Sequence, residues 1–178
     1  IIPADARDPA GLASAFAGAT AVYAMIPPNY ATDAFRAWQD AIGVAIASAL
    51  RSSGVKRVVN LSSIGAQFPA GTGPIAGLHA QEERLNAIPG LDLLHVRAGY
   101  FFENHLNALG TIAAMGVYAD MIDGTVPVAS VATADIAAVV ARELRQPRGA
   151  SVMRQPESLP SASITARRSR GSTFASKR

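Results

Sequence analysis

V-V-N-L-S-S-I-G (Val58–Gly65) is a short apolar run that ends in two serines, an isoleucine and a glycine. A run of that length with β-branched residues and a Gly stop reads as a buried strand leading into a loop. Two further segments repeat the pattern. A-T-A-V-Y-A-M-I (Ala19–Ile26) is an apolar run halted by Pro27-Pro28, and D-L-L-H-V-R (Asp92–Arg97) runs into G-Y-F-F-E-N (Gly99–Asn104). Near-continuous apolar strands belong to parallel sheets covered on both faces. In such sheets ligands bind outside the carboxyl ends of the strands. Three strand ends, at Met25–Pro28, Leu61–Ser63 and Gly99–Phe101, are therefore the candidate crevice.

Helical patterns separate these strands. Asp8-Pro9 opens a short helix with Leu12, Ala15 and Phe16 on one face, closed by Gly18. Phe35, Trp38, Ile42, Ala45, Ile46, Ala49 and Leu50 follow helical spacing, and Gly54 ends that helix. Ser62 to Gly77 reads as loop, and Leu78 to Ile88 as a helix stopped by Pro89-Gly90. Leu106, Leu109, Ile112 and Met115 mark another helix, and Thr125 to Ser130 a short strand. Thr133 is placed to cap a last helix with Asp135 in its first turn and Ile136, Val139, Val140 and Leu144 on its apolar face. Strands alternating with helices at βαβ spacing predict an α/β fold. The expectation is a partial doubly wound, Rossmann-like parallel sheet with helices on both faces.

Composition narrows the class. One domain is expected from 178 residues, of which 49% are hydrophobic and 16% charged. The absence of cysteine removes disulfides, thiolate catalysis and Cys-based zinc sites, and fits a cytoplasmic setting. No apolar run approaches the ~18 residues of a membrane span. The net charge of +3 is uneven: residues 151–178 carry +5, from five Arg and Lys177 against Glu157, which leaves residues 1–150 at −2. The folded body thus offers no basic surface for nucleic acid. The expected organisation is a domain over 1–149 followed by a basic Ser/Arg-rich tail, 150–178, too poor in apolar residues to fold. That tail reads either as a basic arm or as non-native sequence.

Other chemistries fit less well. G-T-G-P-I-A-G (Gly71–Gly77) scans as a phosphate loop, but no strand immediately precedes it and Pro74 lacks an amide. Ser62, His79 and Asp135 could form a hydrolase triad, yet no G-x-S-x-G elbow exists and the order is wrong for an α/β-hydrolase. His79, His95 and His105 lack metal-ligand spacing, so no metal is expected. His79 is the acid–base candidate, with Glu83 one turn on to orient it; a role in holding a cofactor is the other reading. Ser62 and Ser63 either donate to a ribose or phosphate or satisfy their own strand ends.

Six segments in order resemble the NmrA-like group of atypical short-chain dehydrogenases. They are D-A-R-D-P-A-G-L (Asp5–Leu12), A-V-Y-A-M-I-P-P (Ala21–Pro28), G-V-K-R-V-V-N-L-S-S-I-G-A (Gly54–Ala66), G-T-G-P-I-A-G-L-H-A-Q-E-E-R-L (Gly71–Leu85), R-A-G-Y-F-F-E-N (Arg97–Asn104) and T-A-D-I-A (Thr133–Ala137). The resemblance implies an NADP- or NAD-binding Rossmann fold. It implies an NAD(P)H-dependent oxidoreductase of quinone-like or azo acceptors, or a non-catalytic redox sensor that regulates transcription. A small-molecule acceptor is the implied partner, and a homo-oligomer is left open. By position, Asp5 and Ala6 lie near adenine, and Ile26, Pro27 and Pro28 line the cofactor. His79 lies near the nicotinamide ribose, Gly99, Tyr100, Phe101 and Phe102 along the nicotinamide half, and Asn104 on the substrate side.

Against the family's pattern, the first βαβ portion with its glycine-rich loop and the substrate-side segment after the D-I-A helix are missing. The resemblance therefore implies a chain shortened at both ends, or a gene product without function, with sheet edges prone to aggregate. No Tyr-x-x-x-Lys is present: Tyr23, Tyr30, Tyr100 and Tyr118 are followed four residues on by Pro27, Ala34, Asn104 and Ile122. Reduction of quinone-like acceptors, whose protons come from water, fits that absence.

Overall fold

The computed structural model describes residues 1–119, 122, 125–145 and 165–169. The chain is α/β, in two compact units, Ile1–Arg97 with Ala166–Arg178, and Ala98–Thr165.

In the first unit, Asp8 caps helix α1 (Pro9–Phe16) by accepting from the amide of Ala10, and Pro9 supplies a helical φ without an unpaired N–H. Strand β1 is Val22–Ala24. It is shorter than the expected Ala19–Ile26 run because it lies at the edge of its sheet, with ladder bonds on one side only. Helix α2 (Phe35–Ser53) buries Ile42, Ile46, Ala49 and Leu50, and it ends at Gly54 in the left-handed region, φ 76°. A β-carbon at Gly54 is disfavoured by that φ alone.

Strand β2 (Arg57–Ser63) carries the V-V-N-L-S-S segment two residues further than expected. Helix α3 (Ile75–Asn86) begins three residues before the expected Leu78. Pro74 already has helical dihedrals, φ −62° and ψ −20°, and its carbonyl accepts from Gln39 Nε2 of α2 (3.0 Å). Strand β3 (Asp92–Ala98) follows. The four-stranded sheet has the order β1-β2-β3-β6, where β6 is Thr165–Ser169. The rest of the expected disordered stretch, 150–178, lies outside the described residues.

β1 and β2 are parallel, with Val22 beside Val58 and Ala24 beside Asn60. Arg57 pairs with Asp92 and Asn60 with His95, a constant offset that runs β2 and β3 in the same direction. One face of these strands packs Val22, Ala24, Val58 and Leu93 against Ile42, Leu50 and Leu85 of α2 and α3. Residues of the other parity, Val59, Leu94 and Val96, are buried too, while Tyr23 at the edge of that face is exposed.

In the second unit, β4 (Tyr100–Phe101) pairs in parallel with β5 (Ser130–Val131). The expected strand Thr125–Ser130 is thus confined to its last residue and Val131. The expected helix around Leu106–Met115 starts as a 3₁₀ stretch, Phe102–Ala108, and becomes helix α4 at Leu109–Met115, ended by Gly116 at φ 66°. Helix α5 (Thr133–Arg145) buries Ile136 and Val140. Thr133 does not cap it as expected: its hydroxyl donates to Glu103 Oε1 (2.6 Å), and the Ala132 carbonyl accepts from Asp135 and Ile136.

Candidate functional site

At the amino end of the first unit, Asp5 closes a turn on Arg7. Its carboxylate accepts from the Arg7 amide (2.8 Å), Nε (3.2 Å) and Nη2 (2.9 Å). The Arg7 side-chain hydrogen bonds hold the exposed Asp5 carboxyl below the usual carboxylate range. Arg7 also lies 5.3 Å over the Trp38 ring, and Trp38 Nε1 donates to the Pro27 carbonyl (2.9 Å). One chain of contacts therefore ties the Asp5–Arg7 turn to the end of β1, where Ile26 is buried and Pro27 half-buried. Ala6 packs on the same core.

Next to this edge, the register places Ser62 beside Arg97, and both reach Glu82 of α3. Ser62 Oγ donates to Glu82 Oε1 (2.5 Å), while Arg97 Nε and Nη2 donate to Oε1 and Oε2 (2.9 and 2.5 Å). All three are at most 9% exposed. Burial pushes the Glu82 carboxyl up, but the hydrogen bonds of Arg97 and Ser62 and the charge of Arg97 outweigh it, and the net shift is downward. Two residues earlier on each strand, Asn60 Nδ2 lies 3.1 Å from His95 Nδ1, and His95 Nε2 lies 3.3 Å from Asn86 Oδ1. An amide donor on Nδ1 leaves Nε2 as the protonated nitrogen of a neutral ring. The sheet face is thus apolar at Val58 and Leu93 and polar toward the strand ends.

The Ser62 hydroxyl, expected to donate either to a ribose or phosphate or to its own strand end, here donates to Glu82. Ser63 donates to the Ile64 carbonyl (2.9 Å), a local strand-end bond. His79 Nδ1 donates to the Ala66 carbonyl (2.8 Å), and no hydrogen bond joins His79 to Glu83 among the described residues. The half-buried ring therefore turns Nε2 to any further partner. Ser62 and His79 have different partners, so the hydrolase triad does not form. At Gly71–Gly77 the amides of Ile75, Ala76 and Gly77 are already bonded to the carbonyls of Thr72, Gly73 and Pro74. Those three amides are therefore not free for a phosphate.

In the second unit, Gly99 is buried and a β-carbon there would sit 2.2 Å from the Ala129 carbonyl oxygen. Tyr100 N–H donates to that same oxygen (2.8 Å). Phe101 pairs with Val131, Phe102 is 53% exposed and Asn104 half-buried. The rings of Tyr100, Phe102 and Tyr118 surround His105 at 5.3, 6.3 and 5.7 Å, and His105 Nδ1 is hydrogen-bonded to the Tyr118 hydroxyl. The result is an aromatic surface on the loop that follows β3. No group of three His, Asp or Glu residues suited to a metal occurs among the described residues.

Glu82, Arg97 and Glu103 were not singled out by the sequence reading. A signal for Arg97 existed: an arginine inside an apolar run must find a buried acid. Nothing local marked Glu103.

A parallel sheet with polar strand ends, a turn held by Asp5 and an aromatic loop defines a Rossmann-like nucleotide-binding fold. The NAD(P)H-binding family model matches residues 1–147, and the chain belongs to that family. Among solved structures it resembles the NADPH-dependent quinone oxidoreductase of Escherichia coli complexed with NADPH. The two are 26% identical with a TM-score of 0.62, over 82% of this chain and 48% of the other. It also resembles the triphenylmethane reductase of Citrobacter sp. complexed with NADP(H), at 19% identity and TM-score 0.52 over 64% and 37%. A dTDP-glucose 4,6-dehydratase of Streptomyces venezuelae gives 19% and 0.59 over 78% and 52%. The last two show the fold alone. The chain spans about half the length of the quinone oxidoreductase. No curated protein sequence matches it.

The cofactor of this family is NAD(P), and the residues present fit its nucleoside portions. Asp5 offers an exposed acceptor suited to an adenine amine beside apolar Ala6, Ile26 and Pro27, His79 keeps Nε2 available, and Tyr100 and Phe102 offer ring faces. No glycine-rich loop for the pyrophosphate occurs in the sequence.

Proposed function

We propose that this chain is the greater part of the cofactor-binding portion of an NmrA-like NAD(P)H-dependent oxidoreductase acting on quinone-like or azo acceptors. The observation that carries it is the likeness to the E. coli quinone oxidoreductase, taken with the aromatic loop at the site. The order of the six segments, Asp5–Leu12 through Thr133–Ala137, supports the finer family.

When bound, the nicotinamide supplies a hydride. The chain supplies position. Asp5 and Ala6 serve the adenine, with Ile26, Pro27 and Pro28 covering it. Ser63 lines the β2 end through its backbone, and Ser62 stiffens that end through Glu82. His79 holds the ribose on the nicotinamide side through Nε2. Gly99, Tyr100, Phe101 and Phe102 exclude water beside the nicotinamide, and Asn104 meets the acceptor. The absence of a Tyr-x-x-x-Lys motif from the sequence fits acceptors whose protons come from water, with catalysis resting on orientation and desolvation.

Menadione-dependent oxidation of NADPH tests the reading. Turnover that falls, or a cofactor Kd that rises, in His79→Ala is the expected result. NADPH binding without any turnover would assign the chain to a redox sensor instead. Unchanged Kd and turnover in His79→Ala would remove that residue's role.

A further inference from the structure

Between the two exposed or half-exposed residues of the aromatic loop, Phe102 and Asn104, stands Glu103, which the reading above leaves without a task. Its carboxylate accepts three hydrogen bonds from one residue. The Thr133 amide donates to Oε1 and Oε2 (2.9 and 3.1 Å), and the Thr133 hydroxyl donates to Oε1 (2.6 Å). Thr133 is the first residue of α5, where amides lack helical partners and the helix dipole favours an anion. The Thr133 hydroxyl, followed by backbone amides, holds the Glu103 carboxyl below its ordinary range, so it is ionised at neutral pH.

The position matters because of the local geometry. Phe102–Ala108 is a 3₁₀ stretch, with three residues per turn and weaker hydrogen bonds than an α-helix. Adjacent side chains there point about 120° apart. Fixing Glu103 therefore fixes the directions of Phe102 and Asn104. Besides the His105–Tyr118 hydrogen bond and the rings around His105, this loop is tied by the two-residue ladder Tyr100–Ser130 and Phe101–Val131, closed up against Gly99. A ladder that short sets where the loop starts but not how the 3₁₀ turn is rotated.

We propose that Glu103 is a positioning residue: by capping α5 through Thr133 it holds Phe102 and Asn104 in the orientation that receives the nicotinamide half of the cofactor. This rests on the proposed function above.

The test uses the full chain and two probes, NADPH and 2′,5′-ADP, which has the adenosine half without nicotinamide. Glu103→Gln is expected to weaken NADPH about tenfold, the size of a lost charge-assisted hydrogen-bond set, with the 2′,5′-ADP Kd unchanged. Thr133→Val, which keeps the amide bond, is expected to show a smaller loss of the same selectivity, and Thr133→Ser to restore wild-type binding. If Glu103→Gln does not fold, as judged by circular dichroism, Thr133→Val carries the same comparison. Equal losses for both probes, or none for NADPH, in the folded variant would overturn the positioning role alone. Failure of the unsubstituted chain to bind either probe would overturn the proposed function, and this inference with it.

Discussion

Arg97 is the residue on which the strand ends most depend. It sits in a buried strand and its guanidinium meets Glu82 through two hydrogen bonds, with Ser62 supplying a third to the same carboxylate. Removing one partner of a buried pair leaves an uncompensated charge, which costs about 3–5 kcal/mol, whereas replacing both by apolar residues is often neutral. Arg97→Met is therefore expected to lose about that much in urea unfolding, and Arg97→Met with Glu82→Leu to regain most of it. Equal destabilisation in the single and double variants would contradict the account. The pH dependence follows in sign. Glu82 has a lowered carboxyl, so its contribution is complete above the unfolded value of about 4.3 and is lost as pH falls through the lower folded value. In Arg97→Met burial is left to push the Glu82 carboxyl up, so that acid loss should shrink or reverse, because protonation relieves the uncompensated charge. An acid limb of equal size in both proteins would show that Glu82 does not set it.

Among elements, the β4–β5 pair is the smallest and the most exacting. Two residues on each side form it, and Gly99 lies so close to Ala129 that only hydrogen fits. Gly99→Ala is expected to cost about 1–3 kcal/mol, the usual penalty of overpacking, because its β-carbon meets backbone that cannot swing aside. Thermal unfolding measures it; a melting temperature equal to wild type would mean the ladder gives way freely. The sequence made some elements plain and hid others for physical reasons. Helix α2 was legible because Ile42, Ile46, Ala49 and Leu50 repeat at helical spacing and Gly54 stops it. The Asp8 cap of α1 was legible because cap, Pro9 and apolar face are neighbours. The short β1, the start of α3 at Pro74 and the Glu103 cap were not, since each is decided by a partner far along the chain: a sheet edge, Gln39, and Thr133 thirty residues on.

For the whole molecule, the parallel sheet and its strand ends were readable from apolar runs and their stops, and the family match bears out the NAD(P)-binding class. The polar layer was not readable. Ser62 read as a strand-end residue facing a ligand, and only the β2–β3 register shows that it turns to Glu82 beside Arg97, with Asn60 turned to His95. Ser62 and Ser63 are thus engaged within the fold, and the proposed cofactor contacts are Asp5, Ile26, His79 and the aromatic loop. Mapping NADPH onto the ¹⁵N-labelled chain by backbone amide shifts tests this most directly. The account predicts saturable shifts concentrated at Ala6, Ile26, the loop before α3 that holds Ala66, and Gly99–Asn104, with Gly71–Gly77 little changed. Absence of saturable shifts in a folded chain, or shifts centred on Gly71–Gly77, would contradict it.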